Sequence, residues 1–292
     1  MINFRYHVVS LAAALLALAA GVVLGAGFLD TSATVGDGPD QTAAADPAVA
    51  SFESGYVGRT GPTLLKKQLD GESVVVLTTA GANAADIKGV TASLGAAGAD
   101  VVGQAVLTAK LLDPGGRQFA EGVAQQVGED IPGISADGDS YARIGAAIAR
   151  SLVADKTSEI DEAATTLRSA FVEGDLISLT TAPTSRASLV VIVTGPRSST
   201  SGDQGVSLAG IAAALDASSQ GVLVTGPSSA SMPGGFLAAL REDDQTGTLS
   251  TVDVANSPAG RVVVALALAS EAAGESGSWG TSRSADGAVP AP

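Results

Sequence analysis

The chain opens with one long apolar segment and continues with short apolar runs that alternate with amphipathic stretches. Residues 6–29 contain no charged side chain, and as a helix they span roughly 36 Å, enough to cross a hydrocarbon core of about 30 Å. Arg5 precedes this segment and Asp30 follows it, so the positive-inside rule keeps the N-terminus in the cytoplasm. The pattern predicts a single transmembrane anchor over residues 1–29 that displays an exported domain.

A cleaved signal peptide is the alternative interpretation of the same segment, because Ala17-Leu18-Ala19 resembles a small-x-small cleavage site. The apolar run continues well past Ala19, beyond the usual core of a signal peptide, and this length favours a retained anchor. Gly21 and Gly25 form a GxxxG pattern, which would allow two anchor helices to approach closely. We therefore expect contact with membrane lipid through residues 6–29 and a homo-oligomer through the anchor helix.

The segment after the anchor has the composition of a linker. Residues 30–63 are rich in Ala, Gly, Asp, Thr, Ser and Pro, and they include turn signals such as Asp46-Pro47. The composition predicts a flexible tether. A short helix over about residues 63–69 is expected to lead into the domain.

Apolar runs alternate with helical patterns from there to residue 273. Strands are predicted at residues 73–78, 100–107, 188–194, 221–225, 248–254 and 261–268, and helices at residues 84–97, 118–127, 140–154, 159–172, 206–215 and 233–241. The helix at 159–172 is predicted to start at a Ser158 cap. Continuously apolar strands separated by helices predict an α/β domain with a mostly parallel, doubly wound sheet over residues 64–273, built from two βαβ halves of about 64–175 and 176–273. Residues 274–292 show no periodicity and are expected to form a disordered tail in which Trp279 is the one anchor.

Composition and charge narrow the classes of function. The net charge is −14, and an acidic surface repels phosphate backbones, so no nucleic-acid partner is expected. The chain has no Cys, and its single His is His7, beside the apolar segment. Hydrolases commonly use a histidine base, so we expect no enzyme and no catalytic residues. A Ser–Lys hydrolase acting on an envelope substrate stays open as the weakest alternative, because no motif selects a lysine for it.

Two polar loops follow predicted strands and are the candidates for a ligand crevice. Arg197, Ser198 and Ser199 come after Gly195-Pro196. Ser228 and Ser229 come after Gly226-Pro227 in the same way. Ligands of open parallel sheets bind beyond the carboxyl ends of the strands, and hydroxyls with an arginine before a helix could hold an anion. The alternative is a pair of ordinary polar loops, because neither matches a phosphate-loop or dinucleotide fingerprint.

Several segments together resemble the actinobacterial MctB copper-transporter family. They are the N-terminal run Arg5-Tyr6-His7-Val8-Val9-Ser10-Leu11-Ala12-Ala13 with Leu18-Ala19-Ala20-Gly21-Val22-Val23-Leu24-Gly25, then Gly205-Val206-Ser207, Ser250-Thr251-Val252-Asp253, Gly260-Arg261, Trp279-Gly280-Thr281 and Pro290. The resemblance implies an envelope protein that takes part in copper efflux across the outer membrane. It also implies relatives that act in cell division and envelope assembly through a coiled coil just outside the membrane. Here the low-complexity tether stands where those relatives place the coiled coil.

The donor inventory sets a limit on the copper chemistry that one copy can perform. Copper sites use Cys, Met or His donors, and past the N-terminal segment this chain offers Met232 alone. We therefore expect no resident metal site and no cofactor, with copper implied by the family resemblance only. Two hypotheses follow for a protein of the cell envelope: a role in copper efflux and homeostasis, or a non-enzymatic scaffold that binds envelope or division proteins through its exported domain.

Overall fold

The structure is a computed structural model that describes residues 46–129, 131, 134, 139–243 and 246–291. The predicted anchor with Gly21 and Gly25, and residues 30–45 of the predicted tether, lie outside the described residues. None of the helices in the described part is both long enough and apolar enough to cross a membrane.

A mostly parallel sheet forms the centre of the described fold. Its strands are β1 (Ser73–Thr79), β2 (Asp100–Leu107), β3 (Ile177–Thr181), β4 (Leu189–Val193), β5 (Gly221–Thr225), β6 (Ser250–Val252) and β7 (Ser278–Trp279). Their order across the sheet is β3-β2-β1-β4-β5-β6-β7, and β3 alone among these pairs antiparallel to its neighbour. Strands β1, β4 and β5 are buried along their whole length, as their continuous runs of branched apolar residues predict.

Helices cover both faces of the sheet. They are α1 (Pro47–Leu65), α2 (Ala84–Ala96), α3 (Ala109–Leu112), α4 (Arg117–Gly128), α5 (Ser140–Leu152), α6 (Glu162–Glu173), α7 (Ser201–Asp216), α8 (Phe236–Glu242) and α9 (Pro258–Ala272). One apolar cluster joins α3 to α8 with one face of the sheet, and a second joins α1, α2 and α9 with the other face. The predicted α/β class with a mostly parallel sheet is confirmed, and the two predicted halves contribute strands to one sheet.

The prediction of a strand at residues 261–268 is wrong. These residues lie in α9, which packs on β4, β5 and β6. A helix that is buried on most sides has an almost continuous apolar sequence, so periodicity cannot distinguish it from a buried strand. The signal that identifies the helix lies just before it: Ser257 accepts a hydrogen bond from the Gly260 N–H, and Pro258 occupies the first turn.

The segments predicted as linker and tail also differ from expectation where the structure describes them. Residues 47–65 form α1, which packs against α9 and α2, although they lie mostly inside the predicted tether. The end of the chain is not a loose tail, because Ser278–Trp279 adds strand β7 beside β6 and the Trp279 ring is buried. The antiparallel strand β3 has no counterpart in the prediction, and α6 starts at Glu162 behind an Asp161 cap rather than at Ser158. Tertiary contacts explain the first two differences, since a polar segment becomes ordered when a neighbouring surface covers it.

A buried ion pair holds the C-terminal segment, defined here as residues 274–291, against the end of β6. Arg241 Nη1 lies 3.0 Å from Asp253 Oδ2, and both side chains are almost fully buried. The Asp253 carboxylate also accepts hydrogen bonds from the Thr281 N–H at 2.8 Å and from the Ser282 hydroxyl at 2.5 Å. Gly280 lies at a φ of +136°, and a Cβ there would collide with this carboxylate. The segment is therefore attached by charge and hydrogen bonds as well as by the Trp279 ring.

Candidate ligand crevice

The carboxyl ends of β1, β4, β5 and β6 lie at one edge of the sheet because these strands are parallel. The strand order reverses between β1 and β4, the usual position of a ligand crevice in such sheets. Here the backbone of the loop after β4 packs directly against the end of β1 and the loop that follows it, so this position is filled. The Gly195 N–H donates to Thr79 Oγ1 at 3.1 Å, and a Cβ on Gly195 would lie 2.9 Å from the carbonyl carbon of Gly81.

The open space at this edge lies one strand further along, between the loops that follow β4 and β5. A cavity of about 470 Å³ is lined by Arg197, Ser198, Ser199, Gly202, Asp203, Pro233 and Gly234. The predicted residues Arg197, Ser198 and Ser199 thus line one cavity. The other two predicted residues, Ser228 and Ser229, lie in a 3₁₀ turn (Ser228–Ser231) and are not among its lining residues. The structure therefore separates the predicted set into two groups.

A buried serine fixes the two walls of this cavity relative to each other. The Ser201 hydroxyl accepts a hydrogen bond from the Ser198 N–H at 2.9 Å and lies 2.7 Å from the Gly234 carbonyl oxygen, to which it donates. Ser201 is fully buried, so this link between the loop after β4 and the loop after β5 is shielded from water. The cavity is consequently a preformed feature of the fold.

The electrostatics of the cavity are mixed. Thr200 precedes α7 without capping it through its side chain, so the first turn of that helix presents backbone N–H groups and a partial positive charge. Arg197 adds a cation to the rim, whereas Asp203 in the first turn adds an anion. The arrangement can accommodate a small polar group, but Asp203 opposes the binding of a second negative charge. The sequence pattern did not indicate Asp203. It predicted that the helix starts at residue 206, whereas α7 starts at Ser201 and contains Asp203 in its first turn.

A larger cavity of about 530 Å³ lies on the helical layer, where no sequence motif indicates a site. Its lining includes Gln125, Gln126, Ile134 and Arg143. Arg143 is paired with Glu121, and this hydrogen bond, followed by one from the Ser140 hydroxyl, lowers the pKa of the Glu121 carboxyl. The charge of Arg143 beside this cavity is therefore neutralised by Glu121.

The described residues offer no grouping of three or more His, Cys, Asp or Glu side chains that could hold a metal ion. Met232, the soft donor in the domain, lies half-buried in the short loop between the 3₁₀ turn and α8. His7 lies outside the described residues.

Comparison with known proteins gives a match along almost the entire chain. A family model described as "Copper transport outer membrane protein, MctB" matches residues 1–290. The copper transporters MctB of Mycobacterium tuberculosis and Mycobacterium bovis are each 32% identical over 292 residues, which cover 92% of this chain and 92% of those proteins. The copper transporter MctB of Mycobacterium leprae is 28% identical over 300 residues, again with 92% of each chain covered.

Proposed function

Since the chain belongs to the MctB family of copper transport outer membrane proteins, we propose that it takes part in copper efflux and copper homeostasis across the cell envelope. The observation that carries this proposal is the family match, which extends over residues 1–290 and so includes both the N-terminal apolar segment and the α/β domain. A membrane anchor over residues 6–29, with the domain exported, belongs to the same proposal.

The small number of soft ligands in the sequence limits how this chain can contribute to copper efflux. Copper is the cargo, and the chain brings to it no Cys, one His and two Met, of which Met1 is the initiating residue. Isolated carboxylates do not select copper over calcium or magnesium. The proposed role is therefore a contribution to copper efflux without a resident soft-ligand copper site in one copy, and without enzymatic chemistry.

A deletion strain tests the role in copper efflux, and one double variant tests whether a soft side chain of this protein holds the copper. The strain should grow poorly at raised copper and accumulate the metal, and expression of the wild-type chain should restore tolerance. A chain carrying both His7→Gln and Met232→Leu should restore it equally, because neither side chain is expected to hold the cargo. Normal copper tolerance of the deletion strain would refute the proposal. If the double variant does not restore tolerance although the protein is present at wild-type level, the proposal that copper efflux needs no soft ligand from this chain is wrong.

One observation favours a second function, a scaffold that binds envelope or division proteins. One side of α1 carries large apolar side chains in solvent: Val49, Phe52, Tyr56 and Leu64 are each more than half exposed. The rings of Phe52 and Tyr56 stack with their centroids 6.2 Å apart, which forms a continuous apolar surface. Contiguous exposed apolar surface on a soluble domain often marks an interaction site.

The scaffold function predicts a different set of phenotypes. The double variant Phe52→Ser and Tyr56→Ser should fail to correct division or wall defects of the deletion strain, because it removes the apolar surface without disturbing the core. Val206→Ser is the matched control, since Val206 is similarly exposed but lies on α7. Equal correction by both variants would exclude a role for the α1 surface.

A further inference from the structure

A buried acid lies at the opposite edge of the sheet from the ligand crevice. Glu271, in the last turn of α9, is only 4% exposed. Its carboxylate accepts hydrogen bonds from the hydroxyl and the N–H of Ser250, at the start of β6. The other oxygen, Oε1, has no hydrogen-bond partner among the described residues. A buried charge in this situation is costly because nothing replaces the water that it loses.

The surroundings of Glu271 supply a second acid instead of a counter-ion. The charge that acts on it comes from Asp216 at the end of α7, whose half-buried carboxylate accepts from Thr248 Oγ1 at 2.8 Å and from the Val222 N–H. At the start of β5, Gly221 leaves room for the acid: a Cβ there would lie 2.9 Å from Glu271 Oε2. Desolvation first, and then the repulsion by Asp216, raises the pKa of Glu271 to about 7.

The other charged groups that pack on α9 lie at its far end. Glu53 of α1 accepts a hydrogen bond from the Ala259 N–H, and Asp86 of α2 pairs with Arg261 at 3.0 Å, both in the first turn of the helix. Glu275 follows α9 on an exposed turn. The protonation of Glu271 therefore depends chiefly on its burial and on Asp216.

One hydroxyl connects this acid to the C-terminal segment. The Ser250 Oγ that donates to Glu271 also accepts a hydrogen bond from the Gly277 N–H at 3.2 Å. Gly277 in turn lies against the Trp279 ring, which a Cβ on Gly277 would approach to 2.9 Å. Residues 273–276, between Glu271 and Gly277, are exposed, so the link between the acid and the C-terminal segment faces the solvent.

We propose that Glu271 is a proton-operated latch for the start of the C-terminal segment: the neutral carboxyl keeps residues 274–279 against the edge of β6, and loss of its proton releases them while Thr281 and Ser282 stay bound to Asp253. Ionised Glu271 gains solvation when the turn opens, and opening breaks the contact between Ser250 and Gly277. Release of β7 uncovers the backbone of β6, which then offers a strand edge that another extended segment can pair with. The latch thus couples environmental pH to the exposure of one sheet edge.

The test uses the full-length chain in detergent and follows acrylamide quenching of Trp279, the single tryptophan. Quenching of the wild-type protein should rise as the pH is raised between the ordinary glutamate pKa and about 7, and then level off, as the ring loses its cover. Glu271→Gln should stay closed, with low quenching from pH 5 to pH 9, and Glu275→Gln should behave as wild type because its charge is already solvated. A wild-type protein without the step, or a Glu271→Gln variant that retains it, would overturn the proposal.

Asp216→Asn provides a second measurement that does not alter the latch residue. Removal of the repelling charge makes the ionised Glu271 easier to keep in the closed structure, so the quenching step should become smaller or move to higher pH. This variant decides the question if Glu271→Gln does not fold. A step of unchanged height and midpoint in Asp216→Asn, or one that moves to lower pH, would contradict the proposal.

Discussion

The ion pair that fastens the C-terminal segment is the point where a single atom change should have the largest effect. Asp253→Asn keeps the shape of the side chain but removes the charge that faces Arg241, and it replaces one acceptor oxygen by a donor. Asp253 is completely buried, and the Arg241 side chain is only 6% exposed, so water cannot replace the lost partner. The donors that now satisfy the carboxylate, including the Thr281 N–H and the Ser282 hydroxyl, would face an NH₂ group on one side.

The expected size of the effect follows from that burial. Breaking a buried ion pair by removing one partner lowers the free energy of unfolding by about 3–5 kcal/mol. In urea, with a slope of about 3 kcal/mol per molar for a domain of this size, the midpoint should fall by about 1 M or more. Circular dichroism would report the fold, and Trp279 fluorescence would report the C-terminal segment in the same titration.

Asp161→Asn is the matched control for this experiment. Asp161 pairs with Arg150 at 2.6 Å but is 46% exposed, and asparagine can still cap α6. An exposed pair contributes about 0–1 kcal/mol, so the urea midpoint of this variant should stay within about 0.3 M of wild type. If both variants shift the midpoint equally, the Arg241–Asp253 pair is not desolvated in solution and the reasoning from its burial is wrong.

Further predictions concern packing, acid stability and the anchor. Gly145→Ala should lower the free energy of unfolding by about 1–3 kcal/mol, because its Cβ would lie 2.7 Å from that of Ala214 where α5 crosses α7. In the control Gly122→Ala the new Cβ meets nothing within 4 Å, so the free energy of unfolding should rise by about 0.5–1 kcal/mol. Thermal unfolding separates the two variants, and equal shifts would contradict the packing argument. Burial raises the pKa of Asp253, but the hydrogen bonds from Ser282 and Thr281 and the Arg241 charge outweigh the burial and lower that pKa. The ionised Asp253 therefore stabilises the fold above the ordinary carboxyl range, and this stabilisation is lost as the pH falls through the folded-state pKa. Acid titration of unfolding should show a smaller loss of stability for Asp253→Asn than for the wild-type protein. Leu16→Lys should abolish membrane association, since a charge at mid-bilayer costs about 2.5–3.5 kcal/mol; a variant that still fractionates with the membrane would refute the anchor.

Three segments that carry the family resemblance, at residues 250–253, 260–261 and 279–281, lie close together around β6 and the start of α9. Asp253 binds Thr281 and Ser282, Gly280 makes room for the Asp253 carboxylate, and a Cβ on Gly260 would collide with the Val254 carbonyl oxygen. Arg261 ties α9 to α2 through Asp86. These residues maintain the packing around β6 and α9. Among residues 64–273, Met232 is the one soft donor that the sequence supplies.

The sequence by itself predicted the elements whose pattern is local. The strand at residues 73–78 and the helices at 84–97, 118–127 and 140–154 correspond closely to β1, α2, α4 and α5. Each has a continuous apolar run or a helical periodicity bounded by turn residues or caps, and such signals need no knowledge of the rest of the molecule. The mostly parallel α/β class followed from the same alternation of elements, and the Arg197–Ser199 loop was placed correctly beyond a strand end.

Tertiary structure alone decided the identity of α9, the ordering of residues 47–65 and 274–291, and the pairing of β3. In each case the residues have weak or ambiguous local preferences, and the surface that they cover, which comes from distant parts of the chain, selects the conformation. The tertiary structure also decided the surroundings of Glu271, whose side chain extends from α9 to the starts of β5 and β6. A glutamate four residues before another one has no distinguishing pattern, and only its position beside Ser250, Gly221 and Asp216 gives it an unusual proton affinity.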